Sequence, residues 1–403
     1  MDSSTHKATC TFKTDFCLQM TNHVLLKQAK EGTNFVSSPL SFHVVLSLIA
    51  AGSKGHTLEQ LLSFLGAETF DSLNHSSAQI INLISPVEET KKRKSPEAKP
   101  EKGPTLSFVN GAWIDQRFSW KPSFEDVLKE VYKATFQEVD FARKADEVVD
   151  EVNAWVEGST EGLIKQLLPG SSLDKETVLI LANALYFKGS WDQRFDPSRT
   201  EQRDFHLLNG EIVQAPFMTR KRNEKHFYGI FGGYKILQLP YQSGGDSRKF
   251  SMYMFLPDEK DGLPNLIQRF NSDPGFFNQS FRLRKEELDD FWIPRFKFAF
   301  EFEASETMKE MGLELPFLKC GAELTEMVDS PISNKLYVSN IFHKSYIEVN
   351  EEGTEAAAST ALTIRSFILK RFVADHPFMF MIREETSGLV FFSGAVLNPL
   401  LEA

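Results

Sequence analysis

Cysteine is scarce in this chain. Cys10, Cys17 and Cys320 are the three among 403 residues, odd in number and with no C-x-x-C spacing. Such a set excludes a disulfide framework and suits a reducing compartment. Positive charge is short as well: 45 Lys and Arg face 55 Asp and Glu, a net charge of −10. A chain so balanced is not built to wrap nucleic acid or an anionic membrane, so neither is expected as a partner. No apolar run approaches the length of a bilayer span, and the opening "MDSSTHKATC" has no apolar leader core. The expected location is intracellular, cytoplasmic and/or nuclear, with unconventional export as the alternative.

Catalytic signatures are missing too. There is no H-E-x-x-H, no G-x-x-x-x-G-K-[ST], no G-x-G-x-x-G and no G-x-S-x-G. The nine histidines are scattered and never paired at metal-ligand spacing, so no metal or cofactor is expected. Asp289 and Asp290 precede a strand and are read as capping or solvating it. The basic run "RKRNEK", from Arg220 to Lys225, has a composition that suits a polyanion but is read as a solvated turn.

What is present is order of two kinds. In "FCLQMTNHVLLKQAKEG", Phe16, Met20 and Val24 recur every four residues, with Gly32 as a stop. Ser38 and Pro39 predict the N-cap and first position of a second helix that ends at Gly52. In "HTLEQLLSFLG", Thr57 and Gln60 have the spacing of a capping box. Val148, Val152, Trp155 and Val156 mark a further amphipathic helix. From about Thr177 strands take over. "VLILANALYF" is apolar throughout, as a strand buried on both faces should be, and "FWIPRFKFAFEFE" alternates strictly, with Trp292, Phe296, Phe298, Phe300 and Phe302 on one face. The 36 phenylalanines promise a large aromatic core. Helices first and strands later, with no βαβ alternation, predict an α+β fold with large antiparallel sheets.

Residues 88–104, "EETKKRKSPEAKPEKGP", break the pattern: ten of seventeen are charged and three are proline. Such a segment cannot bury enough surface to offset its ordering entropy and is expected to be a disordered insertion. Within it Lys91, Lys92, Arg93 and Lys94 form a basic tetrad, either a nuclear-import signal or simply a solvated run.

The stretch "NEEGTEAAASTALTIRSF", 350–367, is a strand in two minds. With a period of two, Thr354, Ala356, Ala358, Thr360, Leu362 and Ile364 share one face, and mostly polar residues share the other. The inner face is too small-sided for a permanent core strand. This segment is able to become a strand without being committed to one.

With its flanks, that stretch resembles the serpin family. "VNEEGTEAAAST" is similar to the family's reactive-loop hinge, "NFVSSPLSFHVVLSLIAAGSKGHTLEQLLSFLG" to its early helices, and "FMFMIREETSGLVFFSGAVLNP" to its C-terminal signature. The resemblance runs from about Phe12 to Pro399, and "VADHPF" with the absence of a leader makes it most like the plant members. It implies a single domain of three β-sheets and about nine helices, with a reactive-centre loop at 351–375. It also implies an irreversible inhibitor of serine, and also papain-like cysteine, endopeptidases, acting as a monomer. The cleaved loop would insert into the main sheet and trap the acyl-enzyme. A non-inhibitory carrier, chaperone or storage protein is the alternative, and the small hinge residues argue against it.

The resemblance assigns roles to particular residues. The hinge comprises Glu351, Gly353, Thr354, Glu355, Ala356, Ala357, Ala358, Ser359 and Thr360. Counting fourteen residues on from Gly353 places the scissile bond at Phe367–Ile368, bait for a chymotrypsin-like protease. Arg365–Ser366 is the alternative, for a trypsin-like or Arg-specific one. Ser38, Ser41, Asn183 and His343 match the polar cluster that controls opening of the main sheet. Trp191 and Arg295 match the region where the loop first enters it, Arg295 as an ion-pair partner for Glu351.

Overall fold

The computed structural model describes residues 15–84, 103–221, 224–243, 247–273, 275–352 and 370–401. Among them are eight α-helices and three sheets of seven, four and five strands, the mixed α+β architecture expected.

Helix Pro39–Ala51 lies at the centre because it is largely apolar: every residue from Pro39 to Ala50 is buried, Ser41, His43 and Ser47 among them. The Ser38 hydroxyl accepts from the Ser41 N–H at its N-terminus. At its other end Gly52 admits Met327, whose Cγ would lie 2.1 Å from any Cβ placed there. The first helix, Asp15–Glu31, is closed by Gly32 at φ +72°.

In the seven-stranded sheet, Phe378–Glu384 lies between Val390–Val396 and Phe250–Pro257. Its alternate side chains enter different cores. Phe378, Phe380 and Ile382 join the larger cluster, and Met379 and Met381 a smaller one. The short early strand Phe35–Ser37 pairs with the late strand Val390–Val396, and the Asn34 side chain accepts from the Leu397 and Asn398 N–H groups.

The five-stranded sheet is the main one here. Its order is Phe296–Glu303, Asn340–Val349, Leu179–Lys188, Thr105–Asp115 and Thr135–Val139. Leu179–Lys188 is buried along its length until the final lysine, as its unbroken apolar run requires. Helix Phe141–Ser159 packs Val148, Val152 and Val156 beneath it, while Trp155 donates from Nε1 to the Thr135 hydroxyl at 3.1 Å.

Three expectations fail. Thr57 and Gln60 form no capping box, because their helix begins earlier, at Gly55. Thr57 instead ties to Glu323, and Gln60 accepts from the Leu315 N–H at 2.9 Å, so both spend their polar groups on neighbouring segments. "FWIPRFKFAFEFE" is two strands, Asp290–Pro294 and Phe296–Glu303, in different sheets. Pro294 cannot donate to a ladder, and Arg295 turns its N–H to the Pro216 carbonyl, so the chain changes sheet without breaking the alternation. Strands Thr105–Asp115 and Thr135–Val139 also precede helix Phe141–Ser159, so helices and strands are less segregated than expected.

Candidate functional site

The two central strands of the main sheet, Leu179–Lys188 and Asn340–Val349, are parallel neighbours, with Asn183 opposite His343 and Tyr186 opposite Tyr346. Parallel pairing is slightly weaker per residue than antiparallel pairing. Here a buried polar chain reinforces it. His343 Nδ1 meets Asn183 Oδ1 at 3.3 Å, and its Nε2 lies 2.9 Å from the Ser345 hydroxyl. The Ser38 N–H also points at Nε2, at 3.4 Å, which makes Nε2 the acceptor and assigns the proton to Nδ1. Asn183 then donates from Nδ2 to Asn110 Oδ1 at 2.7 Å, and Asn110 donates to the Tyr132 carbonyl at 3.1 Å. One chain of hydrogen bonds thus crosses three strands. His343 is 1% exposed, and burial pushes it down to about 3, so it stays neutral.

Ser38, Asn183 and His343 therefore come together as the resemblance implies. Ser41 stands apart: its N–H is capped by Ser38 while its hydroxyl has no hydrogen-bond partner among the described residues. Sequence reading missed Ser345, Asn110 and Tyr132. Ser345 was findable, since it lies two residues from His343 on the same face of one strand. The other two come from distant chain and carry no local signal.

Where Asn340–Val349 ends, the next three residues are clasped. Trp191 donates from Nε1 to the Asn350 carbonyl at 2.9 Å and from its backbone to the Glu352 carbonyl at 3.1 Å. The Phe195 N–H donates to the Glu351 carbonyl at 3.2 Å. Trp191 is buried and stacks on Tyr241 with ring centres 4.4 Å apart. The Glu351 carboxylate accepts from the Thr200 hydroxyl at 2.7 Å and pairs with Arg295 at 3.4 Å, the ion pair expected. Arg295 is half-exposed, so the pair is worth no more than about 1 kcal/mol.

Gly353 to Thr360, both candidate scissile bonds and the tetrad Lys91–Lys94 lie outside the described residues. At Lys370 and Arg371, Asp289 and Asp290 do more than cap a strand. Asp289 accepts from the Lys370 N–H at 2.9 Å, and Asp290 pairs with Arg371 at 2.7 Å. Strand Arg371–Val373 then runs parallel to Asp290–Pro294. The described residues on either side of 353–369, Asn350–Glu352 and Lys370–Arg371, are thus each tied to the body of the protein. Arg220, expected in a solvated turn, is buried beside Phe195, with its ring face 4.4 Å away.

A parallel central pair, a clasped segment leaving one of its strands, and small residues beyond the clasp define a class. The model of the serpin (serine protease inhibitor) family matches residues 12–399. The chain belongs to that family, whose members are protease inhibitors and not peptidases. More particularly, it falls among the plant serpins. It is 48% identical over 376 residues to Serpin-ZXA of Oryza sativa subsp. japonica, covering 92% of each chain. It is 46% identical over 391 residues to Serpin-ZX of Arabidopsis thaliana, covering 95% of this chain and 96% of that one. Among solved structures it is similar to Arabidopsis AtSerpin1 in a native stressed conformation. That likeness has a TM-score of 0.86 and 44% identity, and covers 97% of this chain and 99% of the other.

Proposed function

We propose that this serpin traps serine endopeptidases, and papain-like cysteine endopeptidases, by inserting its cleaved loop between Leu179–Lys188 and Asn340–Val349. The observation that carries this reading is the parallel pairing of those strands. A chain that leaves Val349 and folds back runs antiparallel to both, so it can pair on each side. One parallel ladder is exchanged for two antiparallel ones.

In the reaction, the protease nucleophile attacks the Phe367 carbonyl, the bond to Ile368 breaks, and the Ile368 amine leaves with a proton from the enzyme's base. Phe367 is then held to the enzyme through its carbonyl, as an ester on a serine or a thioester on a cysteine. Phe367 lies 367 − 353 = 14 residues beyond Gly353, about 45 Å of extended strand at ~3.3 Å each. That exceeds the ten residues of each central strand, so the acyl-enzyme is carried past the end of the sheet. Cleavage at Arg365 shortens the reach by about 7 Å, and is therefore assigned to plain hydrolysis. Thr354, Ala356, Ala358 and Thr360 are small enough to slide between the strands and pack without clashes. An overpacked residue would cost about 1–3 kcal/mol there, and each ~1.4 kcal/mol slows insertion about tenfold.

The test is to mix the protein with chymotrypsin and with trypsin and run denaturing gels. A covalent band near the summed masses with chymotrypsin, lost in Phe367→Glu and in Thr354→Arg, is expected. A complex with trypsin alone would move the bait to Arg365. Loop cleavage without a complex from either enzyme, or from papain, overturns the trapping mechanism and favours a non-inhibitory serpin.

A further inference from the structure

Residues from 198–203, 219–221, 226 and 288–292, at one end of the four-stranded sheet, line a cavity of about 440 Å3. Its cationic lining is Arg199, Arg203, Arg220 and Lys221, and its acids are Glu201, Asp289 and Asp290. Two of those acids already have partners, Asp290 in Arg371 and the Trp292 indole, and Asp289 in the Lys370 N–H. Arg203 rests over the Trp292 ring at 4.1 Å.

Arg220 differs. It is 7% exposed, its Nη2 donates to the Gln193 carbonyl, and its Nε has no partner among the described residues. Glu224 and Asp192 act on it through space, and burial lowers its pKa to about 10, so the guanidinium keeps its charge at neutral pH. Arg199 Nε is likewise buried without a partner. His226, stacked on Phe291 at 4.3 Å, adds a neutral imidazole to the wall. A buried guanidinium N–H without an acceptor is costly, and the planar fork of arginine matches an oxyanion.

We propose that this cavity binds a phosphate-type oxyanion, held between Arg220 and Arg199. The bound ion would sit beside one foot of the reactive loop: Arg220 touches Gln193 and Phe195 of the segment that clasps Glu351, and Arg199 adjoins Thr200, whose hydroxyl donates to Glu351. Binding is independent of trapping, so failure of either reading is seen separately.

The experiment is a calorimetric and thermal-unfolding titration of the full chain. Inorganic phosphate and phenyl phosphate are compared with chloride at matched ionic strength. In wild type, either phosphate is expected to bind and to raise the unfolding midpoint above the chloride control. In Arg199→Gln, affinity should fall about tenfold or more, the effect of losing one charge-assisted bond. Arg199 is only half-buried, so this variant keeps the test open if Arg220→Gln fails to fold. Tighter binding of inorganic phosphate identifies a free ion as the ligand, and tighter binding of the ester a phosphoryl group carried on a larger molecule. No binding beyond that of chloride, or equal affinity in wild type and Arg199→Gln, overturns the proposal.

Discussion

At the middle of the main sheet, His343 and Asn183 are shut away from water, and their hydrogen bonds run on through Asn110 to Tyr132. At its mouth, Glu351 meets an arginine that solvent reaches freely. Both hold the line along which the loop is proposed to enter, by different physics. In the interior a broken bond leaves a desolvated group with nothing to pair with, so failure there is expensive. At the mouth water can solvate Arg295 once its pair is broken, although Glu351 and Trp191 are largely enclosed. The ion pair at the mouth therefore opens at less cost than the bonds of the middle.

The largest expected way to break that contrast is acid. His43, His226 and His343 are held neutral by burial, at about 4, 3 and 3. Because these folded values lie below the unfolded 6.5, the stability they contribute is complete above pH 6.5 and is lost as pH falls toward 3. Three such groups remove about 4 kcal/mol by pH 5.5, which urea unfolding across pH should show. His343→Gln should flatten that profile by roughly one third. Next is His343→Ala at neutral pH, which strands Asn183 and the Ser38 N–H and should cost about 3 kcal/mol in the urea midpoint. Trp191→Phe keeps the stack on Tyr241 but loses the bond to Asn350, at a cost of about 1 kcal/mol. Smallest is Arg295→Gln, near 0.5 kcal/mol, and this difference alone should vanish in high salt. If Arg295→Gln proved as damaging as His343→Ala, the contrast between interior and mouth would collapse.

How much of this was legible depended on whether a residue's partners lay along the chain or across it. Ser38, Pro39 and Gly52 announce their helix because capping is local. Leu179–Lys188 announces its burial because a strand packed on both faces must be apolar throughout. Arg220 was misread because a basic run looks solvated. Its burial comes from Gln193 and Phe195, 27 and 25 residues earlier (220 − 193 and 220 − 195). The change of sheet at Pro294 was hidden because the period of two survives it. For the seam, the resemblance supplied His343 and Asn183 but could not supply Asn110, a lone amide in another strand whose partners only the folded sheet reveals.

The late strands carry a consequence for the making of the protein. Phe378–Glu384 and Val390–Val396 stand between the early strands Phe35–Ser37 and Phe250–Pro257, which are not paired with one another. A ribosome adding about 5–20 residues per second reaches Phe378 roughly 10 s after Pro257. Through that interval the nascent chain has the flanks of its largest sheet and no middle. Phe35 and Val36, fully buried at the end, must wait for the final stretch of translation before the partner that covers them exists.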